Sequence, residues 1–387
     1  MKRVALIVLD GMGIGPAPDS AAYGDAGSNS LGNVARAAGG LRLPNLERLG
    51  LGRCRPVAGL SARLPVSAAH GVALPRSPGK DSTTGHWELC GIVLERPFPT
   101  YPRGFPPDLI AEFARRTGRG VLGNRAASGT AILDELGEAH QRSGDWIVYT
   151  SADSVFQVAA HEGTVPLDEL YRACGIAREL CAGAHGVSRV IARPFAGRAG
   201  EYRRTPRRKD FSLAPPAETL LDVLAAAGVP RLGIGKVDDL FAGRNIVAEH
   251  TPTNADAYRL IEAALGELER GFVFVNVVEF DQTWGHRNDV AGYIEGLREL
   301  DEWIPRLEAR VRTEDLIILT ADHGNDPTTA STDHAREAVP VLCFGPEIRP
   351  VALGERATFA DLGATVADAF GVASLGAGIS FLREMLA

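Results

Sequence analysis

Four short apolar runs in this chain each end in polar or acidic residues: 4–9 before Asp10, 146–149 before Ser151 and Asp153, 272–278 before Asp281, and 316–320 before Asp322. Continuous apolar runs of this length suit parallel strands buried on both faces, because half-exposed strands alternate. Helical patterns separate them. One opens at Asn288 and Asp289, both good N-cap residues, and sets Ile294, Leu297, Leu300, Ile304 and Leu307 on one face. Another, from about Asp361, carries Leu362, Val366 and Phe370. Strands alternating with helices predict an α/β fold. In open sheets of that class, ligands gather beyond the carboxyl ends of the strands, where the acidic residues stand.

A chain of 387 residues has room for two domains, or for one large domain with an insertion. Residues 97–107 are rich in proline and aromatics. A second break at 203–216 holds the basic run Arg203, Arg204, Arg207, Arg208 and Lys209. The segment between has strand signals at 146–149 and 189–192 and a helical pattern near 167–182. The expected organisation is therefore a core built from 1–96 and 216–387, with an inserted cap domain at 97–215. A net charge of -7 argues against a general basic surface for nucleic acid, but leaves room for a local site for a small anion. No apolar stretch is long enough to span a bilayer, and the apolar run at the start lasts only six residues before Asp10, which reads as a strand. The five cysteines are odd in number and lack CxxC spacing, which fits a reduced, cytoplasmic protein.

Three clusters carry chemistry: Asp10-Gly-Met-Gly, Asp281 with His286, and Asp322-His323-Gly-Asn with His334. A single acid after a strand is ordinarily a turn or cap residue. Repeated pairing of Asp with His at strand ends points instead to two divalent ions. Carboxylates suit Mg²⁺ or Mn²⁺, and imidazole shifts the preference toward Mn²⁺, Zn²⁺ or Fe²⁺. Without cations, converging carboxylates would repel and their pKa values would rise. A hydroxyl nucleophile is offered by 79–88 (GKDSTTGHWE), where a helix start beside glycine would favour phosphate oxygens and a metal could activate the hydroxyl. The same residues also suit a plain N-cap with Glu88 behind it. Spacing does not choose among Ser82, Thr83 and Thr84. A P-loop is excluded, because Leu74 stands where its first glycine is required.

The segment 79–91 (GKDSTTGHWELCG) resembles the nucleophile motif of the phosphopentomutases of the alkaline phosphatase superfamily. Similar matches run in order along the chain: VLDGMG at 8–13, GDAGSNSLGN at 24–33, GNRAASGTAILDELG at 123–137, YTSADSVFQVAAHE at 149–162, RVIARPF at 189–195, GIGKV at 233–237, FDQTWGHRND at 280–289 and LTADHGNDPTTASTDH at 319–334. The resemblance implies an alkaline-phosphatase-like core with a mostly parallel sheet flanked by helices, plus an inserted smaller α/β cap. It implies that Thr84, the threonine immediately before Gly-His-Trp-Glu, is phosphorylated. Asp10, Asp322, His323 and Thr84 would then surround one ion, and Asp281, His286 and His334 the other, with Mn²⁺ favoured.

Further implications concern the substrate. Asp153 would contact the sugar, Arg189 and Lys236 its phosphate, while Ser151, Val155 and Ile191 line the sugar pocket. Arg207-Arg208-Lys209-Asp210 departs from the family, where a histidine is expected before the acid. The implied reaction interconverts α-D-ribose 1-phosphate and D-ribose 5-phosphate, or the 2-deoxy pair, through a 1,5-bisphosphate, with a sugar bisphosphate priming the nucleophile. The expected partners are small pentose phosphates rather than nucleic acid or membrane. The alternative is a metal-dependent phosphomonoesterase or phosphoglycerate mutase on the same core. The latter is expected to use serine and a larger insertion.

Overall fold

The run after Met1-Lys2 forms β1 (Arg3–Leu9), and all seven of its residues are buried, as a strand covered on both faces requires. The structure, a computed structural model, describes residues 1–151, 153–373 and 375–386. The chain divides into two units, Met1–Pro97 with Pro215–Ala387, and Phe98–Ala214.

In chain order, β1 is followed by β2 (Ala69–Ala73) and α1 (Ser82–Leu89). The second unit contributes α2 (Pro107–Thr117), β3 (Val121–Ala126), α3 (Ala131–Ser143), β4 (Trp146–Thr150), β5 (Val155–His161), α4 (Leu167–Leu180), β6 (Arg189–Ala196), β7 (Arg203–Arg204) and β8 (Lys209–Ser212). The first unit resumes with β9 (Arg231–Ile234), β10 (Ala248–Glu249), β11 (Gly271–Val277), α5 (Val290–Glu308), β12 (Asp315–Thr320), β13 (Val339–Phe344), β14 (Ala352–Arg356) and α6 (Ala360–Phe370).

The first unit is built on one sheet in the order β10-β9-β11-β1-β12-β13-β2-β14. Only β13 runs against its neighbours, so the sheet is mostly parallel and flanked by helices, as the alternation of strands and helices predicted. β1 pairs in parallel with β11 and β12, with Leu9 opposite Val277 and Val8 opposite Thr320. That register ends three strands at one level, which is why the acids that follow them converge. At the opposite end of β1, Arg3 Nε donates to Asp315 Oδ1 at 2.8 Å, and both side chains are buried. α5 begins where predicted: Asp289 is its N-cap and accepts from the Gly292 N–H.

The second unit has its own sheet, β3-β4-β5-β6-β7, with β8 also paired to β6. One apolar cluster joins one face of this sheet, through Trp146, Val148, Phe156, Val158 and Val190, to Phe113 of α2 and Leu170, Cys174 and Ala177 of α4. A smaller cluster packs Ile132 and Leu133 of α3 on Ile147, Tyr149, Ala159 and Phe195 of the other face. The basic stretch read as a break holds two short strands, β7 and β8, both antiparallel to β6. They are too short and too charged for periodicity to reveal.

Candidate metal centre

Asp10 directly follows β1, and its main-chain N–H donates to the Val277 carbonyl at 3.0 Å. Asp281 lies in a π-helical turn, Phe280–Trp284, and the following 3₁₀ turn Gly285–Arg287 carries His286. Asp322 and His323 come two and three residues after β12. Asp10, Asp281, Asp322, His323 and His334 are all buried.

The side chains meet closely. His323 Nε2 is 3.2 Å from Asp10 Oδ1 and 3.4 Å from Asp322 Oδ2. His286 Nε2 is 3.2 Å from Asp281 Oδ2, and His334 Nε2 is 3.5 Å from Asp281 Oδ1. Ligand atoms of Asp281, His286 and His334 lie within 4.8 Å of one another, and those of Asp10, Asp281 and His323 do likewise. The other ring nitrogens of His286 and His323 face carbonyls, Thr332 O at 2.7 Å and Gly324 O at 3.0 Å. A proton held there leaves each Nε2 lone pair directed at the carboxylates, the arrangement a metal-bound histidine needs.

Electrostatics follow from this crowding. Burial pushes Asp281 up, but His334, His286 and His323 outweigh it and hold the carboxyl well below its usual range. At Asp10, burial and Asp281 act upward, while His323 and Lys236 bring the net shift below the ordinary value. Burial would lower His286, yet its bond to and charge attraction by Asp281 raise it to about 9. His323 is also raised: burial acts against charge, but Asp322, Asp10 and Asp281 prevail. Divalent ions held by these same atoms would supply the positive charge that imidazolium supplies here. Asp322 Oδ2 is buried and has no hydrogen-bond partner among the described residues, a further sign of an atom meant for a cation. The donor set of carboxylate oxygens and imidazole nitrogens fits Mn²⁺ or a similar ion.

Thr84 lines one pocket with Gly79, Lys80, Gly85, Asp322 and His323. Asp81 caps α1, accepting from the Thr84 N–H at 3.1 Å and from Thr84 Oγ1 at 2.6 Å. Thr84 is buried beside Gly79, where an added Cβ would stand 2.7 Å from its Oγ1. Ser82 Oγ lies 3.4 Å from Asp10 Oδ1 and 3.1 Å from His323 Nε2.

Sequence reasoning missed three supporting residues. Asn276 donates to Asp10 Oδ2 at 2.9 Å, and Asn325 donates to Asp281 Oδ1 at 2.7 Å. His86 Nδ1 stands 3.0 Å from Asp322 Oδ2 and 2.9 Å from the Ser82 carbonyl. A signal existed for Asn276, since it is the one polar residue inside an otherwise apolar run. Asn325 was already inside the Asp-His-Gly-Asn cluster.

Of the expected substrate contacts, half-buried Lys236 lies in the first unit, near enough to pull on Asp10. In the second unit, Val155 pairs with Arg189, and Ile191 follows two residues on, so the three share one sheet face. Ser151 and Asp153 lie in the loop between β4 and β5. Arg189 pairs with Asp210 at 3.6 Å.

Among the described residues, no helix is long and apolar enough to cross a membrane. The model of a metalloenzyme superfamily matches residues 2–374. The phosphopentomutase of Carboxydothermus hydrogenoformans is 53% identical over 387 residues, covering 100% of both chains. That of Anaeromyxobacter sp. (strain K) is 54% identical over 386 residues, covering 99% of each. A solved phosphoglycerate mutase from Leishmania mexicana is 14% identical, with a TM-score of 0.49 over 98% of this chain and 97% of that one. Identity above one half, sustained from end to end, leaves no part of the chain outside the match: it belongs to the phosphopentomutase family of the metalloenzyme superfamily.

Proposed function

We propose that the chain is an isomerase that interconverts α-D-ribose 1-phosphate and D-ribose 5-phosphate, and the 2-deoxy pair, with Thr84 as the residue that carries the phosphoryl group. End-to-end identity to phosphopentomutases supports the reaction over a phosphomonoesterase or phosphoglycerate mutase. The observation that supports the nucleophile is the place of Thr84 in the first turn of α1, lining one pocket with Asp322 and His323.

Asp10, Asp322 and His323 would hold one divalent ion and Asp281, His286 and His334 the other, Mn²⁺ in this reading. Such ions, when bound, stabilise charge on the attacking and leaving oxygens of phosphoryl transfer. Thr84 stands in the first turn of α1, where backbone N–H groups and the helix dipole favour phosphate oxygens. Phosphorylated by a sugar bisphosphate, Thr84 gives its phosphoryl group to the free hydroxyl of the pentose phosphate. The oxygen–phosphorus bond at Thr84 breaks as the one to the sugar forms, and the sugar's proton is matched by one regained at Thr84 Oγ1. The 1,5-bisphosphate turns over and returns its other phosphate to Thr84. In the first unit Lys236 would bind phosphate; in the second, Arg189 would bind phosphate and Asp153, Ser151, Val155 and Ile191 the sugar. Five free cysteines, four of them buried, suit the reducing cytoplasm proposed for it.

The test is a coupled assay of ribose 1-phosphate conversion with Mn²⁺ and a priming bisphosphate, combined with mass spectrometry of the phosphorylated peptide. Thr84→Ala is expected to lose roughly a thousandfold or more in rate, the scale of losing a catalytic nucleophile. Phosphate found on Ser82, with Thr84→Ala fully active, would reverse the assignment. Steady release of inorganic phosphate from ribose 5-phosphate would mark a hydrolase instead.

A further inference from the structure

Tyr149, Gln157 and Ile191 stand in register across β4, β5 and β6 of the second unit. Arg189 and Arg193 share their face, because alternate residues of a strand point the same way. α3 packs against that face through Ile132 and Leu133. Its thirteen residues begin after Ser128-Gly129-Thr130, and Thr130 forms no side-chain cap. The N–H groups of Thr130 and Ala131 have no hydrogen-bond acceptor among the described residues.

Three side chains converge on this helix start. Tyr149 is 1% exposed, and its hydroxyl has no hydrogen-bond partner among the described residues. The hydroxyl lies 2.9 Å from where a Cβ on Gly129 would stand, so it is aimed at the beginning of α3. The Arg204 guanidinium reaches the same spot, which only a residue without a side chain leaves open. Arg193 donates through Nε to Gln157 Oε1 at 3.1 Å. Burial, then Arg208 and Arg204, hold the Arg193 pKa down to about 10 against the pull of Tyr149 and Asp210. Positive charge, free helix N–H groups and a buried donor hydroxyl are thus gathered with Asp210 as the nearby carboxylate.

We infer that the start of α3, with Arg193, Arg204 and Tyr149, forms an oxyanion site for a phosphate group, free or esterified. Helix N–H groups point at such a ligand, and guanidinium forks match its paired oxygens. The Tyr149 hydroxyl gains an acceptor, and the crowded guanidinium groups gain a counter-charge. The site stands apart from the identity of the nucleophile and holds whether or not the reaction proposed above is right.

The test is amide NMR of the Mg²⁺-loaded full chain during titration with inorganic phosphate and, separately, with ribose 5-phosphate. The Thr130 and Ala131 amides should shift saturably. Arg204→Met should weaken that response at least tenfold, and Tyr149→Phe, which keeps the ring, by several-fold. A response to ribose 5-phosphate alone supports the site and marks esterified phosphate as its ligand; a response to inorganic phosphate alone supports it and marks the free ion. No response to either, or one unchanged in both variants, overturns the site.

Discussion

The side-chain amide of Asn276 donates to Asp10 Oδ2 across 2.9 Å, leaving Oδ1 to face His323 and Ser82. A neutral donor fixes the rotation of a carboxylate without cancelling its charge, as supporting groups around metal ligands do. Asn276→Leu should therefore weaken binding of an ion at Asp10 by about 10–100-fold. Competition with a chelating dye reads this directly. Unaltered metal affinity in a folded variant would count against the role given to Asn276.

Removing metal should destabilise the native chain. Ions that bind only the folded state at 100 times their dissociation constant add about 2.7 kcal/mol. Scanning calorimetry with and without a chelator should show a drop in Tm of several degrees. Asp281→Asn, which takes away a carboxylate common to both ligand groups, should show a smaller drop. Equal Tm values for the native chain in both buffers would argue against tight ions.

Asp222 gives the clearest pH prediction. It closes the capping box with Thr219 and accepts from Arg244 Nε at 2.8 Å and Asn245 Nδ2 at 2.7 Å. Burial raises its pKa, but the Thr219 bonds, Asn245 and Arg244 bring the net value below the usual range. A carboxyl lowered on folding stabilises above its unfolded pKa, about 3.9, and loses that contribution as pH falls through the folded value. Asp222→Asn should cost about 1 kcal/mol at pH 7, the scale of a lost cap. Its urea midpoint should fall less than the native one between pH 5 and pH 2. Parallel curves would contradict this.

Glu88 is a second buried acid with a different task. It is 1% exposed and accepts from the N–H groups of Arg76, Ser77 and Phe359 and from Thr358 Oγ1 at 2.6–3.0 Å. It ties α1 to the loop before it and to the approach to α6. Glu88→Ala would leave four donors without an acceptor, at about 3 kcal/mol or more. Denaturant midpoints measure the loss, and a change below about 0.5 kcal/mol would show that water or a local shift replaces the carboxylate.

The strand-and-acid pattern was legible because a doubly covered strand must be apolar throughout, and the chain must then turn at its carboxyl end. Hence β1, β11 and β12, and the convergence of Asp10, Asp281 and Asp322, could be read from residue order. β13 and β14 drew no such reading: nothing local marks the reversal of β13, which pairing with β12 and β2 decides. Spacing left Ser82, Thr83 and Thr84 open for a related reason. A motif names a neighbourhood of hydroxyls, whereas the direction each one points depends on where α1 starts, and that depends on Asp81 capping it.

Asp81 therefore sets the helical phase of a loop holding three consecutive hydroxyls. Each residue turns the helix by about 100°, so the cap acts as an index that sets where each oxygen points. Intrinsic reactivity differs little between serine and threonine; angular position distinguishes them here. A deletion of one residue between Asp81 and Gly85 would leave the composition almost unchanged and yet re-aim the remaining hydroxyls around the helix.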